Sequence, residues 1–368
     1  MKKIIYTLIS LIFLTACSNR SENKLTLYNK STITAGFDTT ITIMGYAEDE
    51  ETFDAYFQLA HDTFSQYNEL FDIYNTYPGI NNLMSVNENA GIEPVAVDPL
   101  IIDMLKMAKE YTEISPYFNV TYGAVFNIWH DYREEGIELN TKGEPGRVPT
   151  LEELKEAEKY TGWDKVVIDD VNNTVYLKEK GVRLDVGALA KGLATELVAQ
   201  KLETEGLEHG IISGGGNIRT INKKPDGPWK IGVQEPSPEI SAPSIDIFSL
   251  EESMSVVTSG DYQRTYYGPD NVMYSHLINP KTLFPQNSFR SVTVVMENSA
   301  LADIFSTSMY MMEFDEANTF IEEYNIKYPE DKLEVFWVMD ENEDWYQYDK
   351  YDYTMTEGLK PLSHNLNE

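Results

Sequence analysis

Cysteine is nearly absent. The 368-residue chain carries one, Cys17, so its fold has no internal disulfide and no thiol elsewhere for catalysis or metal binding. Basic residues are scarce too: 29 Lys and Arg stand against 60 Asp and Glu, for a formal net charge of −31. Nucleic-acid binding depends on Lys and Arg replacing condensed counterions, so this balance argues against that class. No apolar run is long enough to span a bilayer as a permanent helix, and no internal repeat or long low-complexity tract is present. The GxGxxG fingerprint and the Walker glycine loop ending in Lys-Ser/Thr are also missing. A polyanionic ligand here needs positive charge supplied locally, most economically by a divalent metal.

The N-terminus has a clear processing pattern. Lys2 and Lys3 precede the short apolar run Ile4–Leu14, and Leu14-Thr15-Ala16-Cys17 follows at once. This reads as a secretory signal ending in a bacterial lipobox, with Cys17 as the lipidated first residue; an ordinary signal peptide with a chance cysteine is the alternative. The expected organisation is a signal peptide over 1–16, the lipidated Cys17 and a polar tether over 17–30, a catalytic unit over 31–350 and a tail over 351–368. The expected location is the extracytoplasmic face of the cell membrane, held by the lipid.

The remainder has ample core material, with 42% hydrophobic residues, 24 Tyr and 15 Phe. Asp49–Phe71 has Phe53, Phe57, Ala60, Phe64, Tyr67 and Phe71 at helical spacing. Asp98-Pro99 and Thr150-Leu-Glu-Glu153 open two further helices. From Val166 the chain turns strand-rich. Strands are expected at Val166–Ile168, Val175–Leu177, Gly210–Ser213, Trp229–Val233, Ser244–Leu250, Met254–Val257, Met273–Ile278, Ser291–Met296 and Leu333–Val338, with helices at Ala188–Glu205, Ala300–Met312 and Asp315–Tyr324. Hairpins outnumber βαβ units, which predicts an α+β fold of mainly antiparallel sheets with packed helices. One catalytic unit is expected, with two subdomains as the alternative and weak boundaries at Tyr132–Pro149 and Pro236–Pro243.

Val182–Glu196, VRLDVGALAKGLATE, is the densest candidate for chemistry. It reads as a strand ending on Asp185, a Gly187-Ala188 turn and a helix bearing Lys191. Such junctions aim free backbone N–H groups at one spot and attract anions. Asp303 and Thr307 are i, i+4 on a predicted helix, so their oxygens share a face. His276 leads into Asn279-Pro280 and is a candidate general base or phosphate contact.

Together these segments resemble the ApbE family, the FAD:protein FMN transferases. VRLDVGALAKGLATE is similar to that family's DLGaiAKGyavD signature. Phe37–Gly45 (FDTTITIMG), Tyr77–Asn87 (YPGINNLMSVN) and Pro116–Trp129 (PYFNVTYGAVFNIW) resemble its earlier blocks. Val257–Arg264 (VTSGDYQR), His276–Pro285 (HLINPKTLFP) and Ala302–Thr307 (ADIFST) resemble its C-terminal set. The resemblance implies a T-fold-like architecture and Mg²⁺ held by Asp303, Thr307 and the Ala188 carbonyl. It implies FAD contacts from Met44, Tyr77 and Phe118–Val120, from Asp185 and Lys191, from Ser259 and Gly260, and from His276 and Leu277. Tyr77 is expected to stack on the flavin.

The implied reaction is Mg²⁺-dependent transfer of FMN from FAD to a Ser or Thr hydroxyl of an extracytoplasmic acceptor flavoprotein, releasing AMP, with His276 and Asp303 central to catalysis. A Mg²⁺-dependent FAD pyrophosphatase and a non-catalytic flavin- or solute-binding lipoprotein are the rivals. Asn119, Asn279, Leu283 and Ser306 depart from the family pattern, which carries Asp, Asp and Gly at the first three and Asp in some members at the last.

Overall fold

The computed structural model describes residues 24–367 apart from positions 238, 240, 241 and 263. The expected signal peptide and Cys17 lie outside the described residues.

Strand β1 (Thr26–Thr32) pairs antiparallel with β2 (Ile41–Ala47). β2 buries Ile41 and Ile43 and leaves Thr42 and Met44 half-buried, the period-two pattern of a strand between two environments. Helix α1 (Glu50–Phe71) begins where the Asp49 carboxylate accepts from the Thr52 N–H, and it buries Phe53, Ala60, Phe64 and Phe71. A reciprocal Asn82/Ser85 capping box starts α2 (Leu83–Glu88). After β3 (Val95–Ala96), Asp98 caps α3 (Pro99–Ile114) with Pro99 at its first position. Helix α4 (Gly123–Thr141) precedes α5 (Leu151–Glu158), which opens on the Thr150/Glu153 capping box. β4 (Val166–Asp169) and β5 (Thr174–Leu177) form a hairpin turning at Asn173, whose φ is +52°; β3 joins β5 in the same small sheet.

The second half supplies most of the main sheet. Helix α6 (Ala190–Thr204) leads into β6 (Gly210–Gly214) and β7 (Asn217–Ile221). β8 (Trp229–Gln234) and β9 (Ser244–Leu250) make a separate hairpin, joined by the Pro236–Pro243 segment. Then come β10 (Ser255–Gly260), the short pair β11 (Tyr266–Tyr267) and β12 (Met273–Tyr274), and β13 (Ser291–Met296). Helices α7 (Ser299–Met311) and α8 (Phe314–Lys327) precede β14 (Glu334–Met339), β15 (Tyr346–Tyr348), β16 (Tyr351–Met355) and the final turn α9 (His364–Asn367).

Nine strands pair in the order β1-β2-β6-β7-β10-β13-β14-β16-β15. Every pairing in this sheet is antiparallel, so the α+β class stands. One face packs Ile43, Ile212, Val257 and Val294 against α1, α6 and α7. Neighbouring residues on the same strands point the other way: Val256, Val295 and Phe336 join Trp229, Ile231 and Phe248 of the β8–β9 hairpin. A sheet apolar on both faces needs cover on both, and the helices and the hairpin provide it.

Several boundaries differ from expectation. The tether expected to reach residue 30 already contains β1, and the tail expected from 351 contains β16, a strand inside the main sheet. Tyr132–Pro149 is no boundary, because α4 runs through its first ten positions. The buried Tyr266 ring draws the rest of that segment in. A Cβ on Gly136 would lie 2.3 Å from the ring, one on Gly146 2.5 Å, and the Tyr266 hydroxyl donates to the Arg147 carbonyl. Met273–Ile278 is a strand only at its first two residues. Beyond them Asn279 Oδ1 accepts from the Lys281 N–H and Leu283 turns to φ +65°, which curls the chain away from a ladder.

Candidate functional site

Where the N-terminal end of α6, the inner face of α7, the end of β10 and the Tyr117–Val120 loop meet, they wall a cavity of about 530 Å³. That size suits a small-molecule site. The segment leading into it is extended but unpaired: no strand forms at Val182–Leu184, contrary to expectation. The buried Asn87 side chain takes the place of a neighbouring strand. Its Nδ2 donates to the Leu184 carbonyl at 3.0 Å and its Oδ1 accepts from the Leu184 N–H at 2.8 Å. The Asp185 N–H then donates to the Val120 carbonyl, and Asp185 Oδ1 accepts from the Gly187 N–H at 2.8 Å. Asp185 lines the cavity, and burial pushes its carboxyl above the ordinary range, against the Gly187 hydrogen bond and the charges of Arg183 and Arg133.

Helix α6 then crosses α7 at very short range. The Gly192 N–H donates to Asp303 Oδ2 at 2.8 Å. A Cβ on Gly192 would stand 2.4 Å from the Ser299 carbonyl oxygen and 2.5 Å from Asp303 Cβ, so only glycine permits this approach. One turn further on, buried Glu196 accepts from the Ser299 N–H at 2.8 Å and from Arg219 Nε at 3.1 Å. Two i, i+4 pairs, Gly192/Glu196 and Ser299/Asp303, therefore interlock. Burial pushes the Asp303 carboxyl up, and the Lys191 charge opposes it. Burial likewise pushes the Lys191 ammonium down, against the charge of Asp303.

Thr307 lies one turn beyond Asp303 and lines the same cavity. Its Oγ1 is 3.3 Å from Ser259 Oγ, which is 2.9 Å from Ser306 Oγ. Ser306 is fully buried and donates to the Asp303 carbonyl, so this departure from the family pattern ties β10 to α7 and does not face the cavity. Among the described residues no group of three or more His, Cys, Asp or Glu could hold a metal ion. A cation here depends on a mixed oxygen set, and Asp303, Thr307 and Ala188 wall one cavity, which fits the sparse oxygen shell that Mg²⁺ accepts.

The cavity collects nearly every residue expected at the site. Tyr77, Phe118, Asn119, Val120, Asp185, Lys191, Ser259, Gly260, His276 and Leu277 all line it. The Tyr77 hydroxyl donates to Asp72 Oδ2 at 2.8 Å, which fixes the ring. Asn119 spends its side-chain oxygen on the Thr121 N–H and hydroxyl, so its role is to cap the turn. Met44 is the exception. It packs on the hairpin side of β2 among Tyr46, Ile211 and Ile218, next to the wall, since Ile218 lines the cavity. The preceding loop lines the cavity in its place: Phe37 and Asp38 adopt φ of +59° and +47°, with the Phe37 N–H held by Asn68 Oδ1. Tyr74, His130 and Arg133 also line it, and sequence reading did not single them out; Arg264, the last residue of the VTSGDYQR block, joins them.

With the site in place, the family follows. The ApbE family model matches residues 37–329. The chain belongs to the ApbE family. An FAD:protein FMN transferase of Vibrio cholerae is 30% identical over 247 residues, covering 66% of this chain and 70% of its own. One from Klebsiella pneumoniae is 28% identical over 292 residues, covering 79% and 83%. The ApbE protein of Thermotoga maritima matches in structure with a TM-score of 0.74 at 25% identity, over 92% of this chain and 99% of its own. The flavin transferase ApbE from Vibrio cholerae shares the fold, with a TM-score of 0.71 at 24% identity over 92% and 100%.

The Glu196–Arg219 pair gives this part of the ApbE scaffold a measurable stake. Glu196→Ala leaves Arg219 buried without its partner, so unfolding in urea is expected to show a loss of about 3–5 kcal/mol. A loss under about 1 kcal/mol, the range of exposed pairs, would contradict the clamp.

Proposed function

We propose that this chain is an FAD:protein FMN transferase that moves FMN from FAD onto a Ser or Thr hydroxyl of an acceptor protein, with Mg²⁺ bound. The observation that carries this reading is the α6–α7 crossing, where Gly192 brings Asp303 and Thr307 to the same cavity wall as Ala188 and Lys191. The family membership and the curated relatives bearing this name support it.

In this reading the acceptor hydroxyl oxygen bonds to the FMN-side phosphorus. The bond from that phosphorus to the bridging oxygen breaks, and AMP leaves with that oxygen. Mg²⁺, held by Asp303, Thr307 and the Ala188 carbonyl, would act as a Lewis acid that neutralises charge on the diphosphate. Lys191 adds a cation at the same wall and holds the diphosphate in line for attack. His276 faces the cavity and accepts the hydroxyl proton. Tyr77, its hydroxyl tied to Asp72, presents a flat face on which the flavin ring can stack.

Incubation with FAD and Mg²⁺, with and without a flavoprotein acceptor, tests the reaction. The expected result is AMP released in equal amount to an acceptor heavier by one FMN phosphoryl group. AMP without a modified acceptor means hydrolysis, and no AMP contradicts any FAD-cleaving activity. Asp303→Ala is expected to lower turnover by more than about 100-fold, and wild-type turnover in that variant would refute the metal assignment.

We further propose that Cys17 anchors the enzyme by lipid to the extracytoplasmic face of the membrane. The basic, apolar and lipobox segments before Cys17 support this. Among the described residues no helix is long and apolar enough to cross a membrane. Cys17→Ala is expected to shift the protein from the membrane fraction, and unchanged membrane retention would count against the anchor.

A further inference from the structure

One lobe of the cavity wall is cationic, and two of its residues, His130 and Arg133, lie outside the blocks that resemble the ApbE family. His130 and Arg133 stand one turn apart on α4, and Tyr74 packs its ring 4.8 Å from that of His130. The Arg133 side chain is only 11% exposed. Among the described residues it makes one hydrogen bond, Nη2 to His130 Nδ1 at 2.9 Å. Its buried Nε has no hydrogen-bond acceptor, and Glu134 Oε1 lies 3.8 Å from it.

The donor chemistry of this pair is determined. A guanidinium has five N–H donors and cannot accept, so His130 Nδ1 must be the acceptor. The imidazole is therefore neutral and carries its proton on Nε2, a further donor. Burial first, and then the Arg133 charge, hold His130 below its ordinary pKa, in keeping with that form. Arg264, exposed on the loop after β10, lines the same cavity, and its charge bears on both Arg133 and Lys191. Among the described residues no carboxylate forms an ion pair with Arg264. In a chain with twice as many acids as bases, a nearly buried guanidinium that donates no hydrogen bond to a carboxylate is costly unless an anion joins it. The solvated charge of Arg264 at the same cavity favours that anion.

We propose that Arg133, His130 and Arg264 form an oxyanion subsite that holds an anionic oxygen of one of the two substrates. Given the transferase reading on which this rests, that oxygen belongs to a phosphate of FAD or to a carboxylate of the acceptor polypeptide. Both present the planar or tetrahedral oxygens that a guanidinium binds through two N–H groups.

The test uses the full chain and its Arg133→Gln and Arg264→Gln variants, with thermal melting to establish folding. Three quantities are measured: inorganic phosphate affinity by calorimetry, FAD affinity by flavin fluorescence, and the acceptor KM at saturating FAD. Arg133→Gln is expected to weaken phosphate binding and to raise one substrate constant by about tenfold. A raised FAD Kd identifies the phosphate as the occupant, and a raised acceptor KM identifies the carboxylate; the other constant stays within about twofold, and Arg133→Lys recovers part of the loss. All three quantities unchanged in a folded variant overturn the subsite. Should Arg133→Gln fail to fold, Arg264→Gln, on an exposed loop, gives the same three readings. A wild-type enzyme that transfers no FMN but binds phosphate and FAD through Arg133 would refute the transferase reading and leave the subsite standing.

Discussion

The site depends on how closely two helices approach. The Gly192 N–H reaches Asp303 Oδ2 because nothing but hydrogen occupies the place of a side chain. That contact orients Asp303 toward the cavity and brings Thr307, one turn on, to the same wall. Glu196 holds the next turn of the same seam, with Arg219 supplying its counter-charge from β7. Polar groups thus lock the seam at both ends while apolar side chains fill the rest, and each buried charge there has a partner, as burial demands.

Charge scarcity shapes the remainder. The chain is strongly acidic, yet Lys191, Arg133, Arg264 and two histidines all face one cavity. Burial acts against charge on both sides of that wall, raising Asp303 and Asp185 and lowering Lys191. The proposed anionic substrate with a divalent cation would resolve that tension, because it would restore to these groups the electrostatic partners that water no longer supplies. The cavity thus gathers positive charge against the sign of the whole chain.

Much of this was legible in the sequence, for local reasons. Asp49, Asp98 and Thr150 announced three helices because caps act within one turn. The Asp303/Thr307 pair was readable because helical spacing alone puts both on one face. What failed was non-local. α4 looked like a boundary because its C-terminal half is charged and holds Gly136, and only Tyr266, far along the chain, shows why glycine belongs there. Val182–Leu184 read as a strand because its pattern is apolar, but its hydrogen bonds go to the Asn87 side chain. Met44 was placed at the site through motif similarity; it packs beside Ile218, which lines the cavity, and is not itself part of the wall. Arg133 gave no signal, since a basic residue on an amphipathic helix ordinarily faces water.

The central claim is that the Gly192–Asp303 approach builds the substrate site. Its most direct measurement is FAD affinity of Gly192→Ala, titrated by flavin fluorescence with and without Mg²⁺. The added methyl group must push α6 from α7, so Mg²⁺-dependent FAD binding is expected to weaken by at least about tenfold in a protein that still melts cooperatively. Wild-type affinity with its full Mg²⁺ dependence would contradict the account.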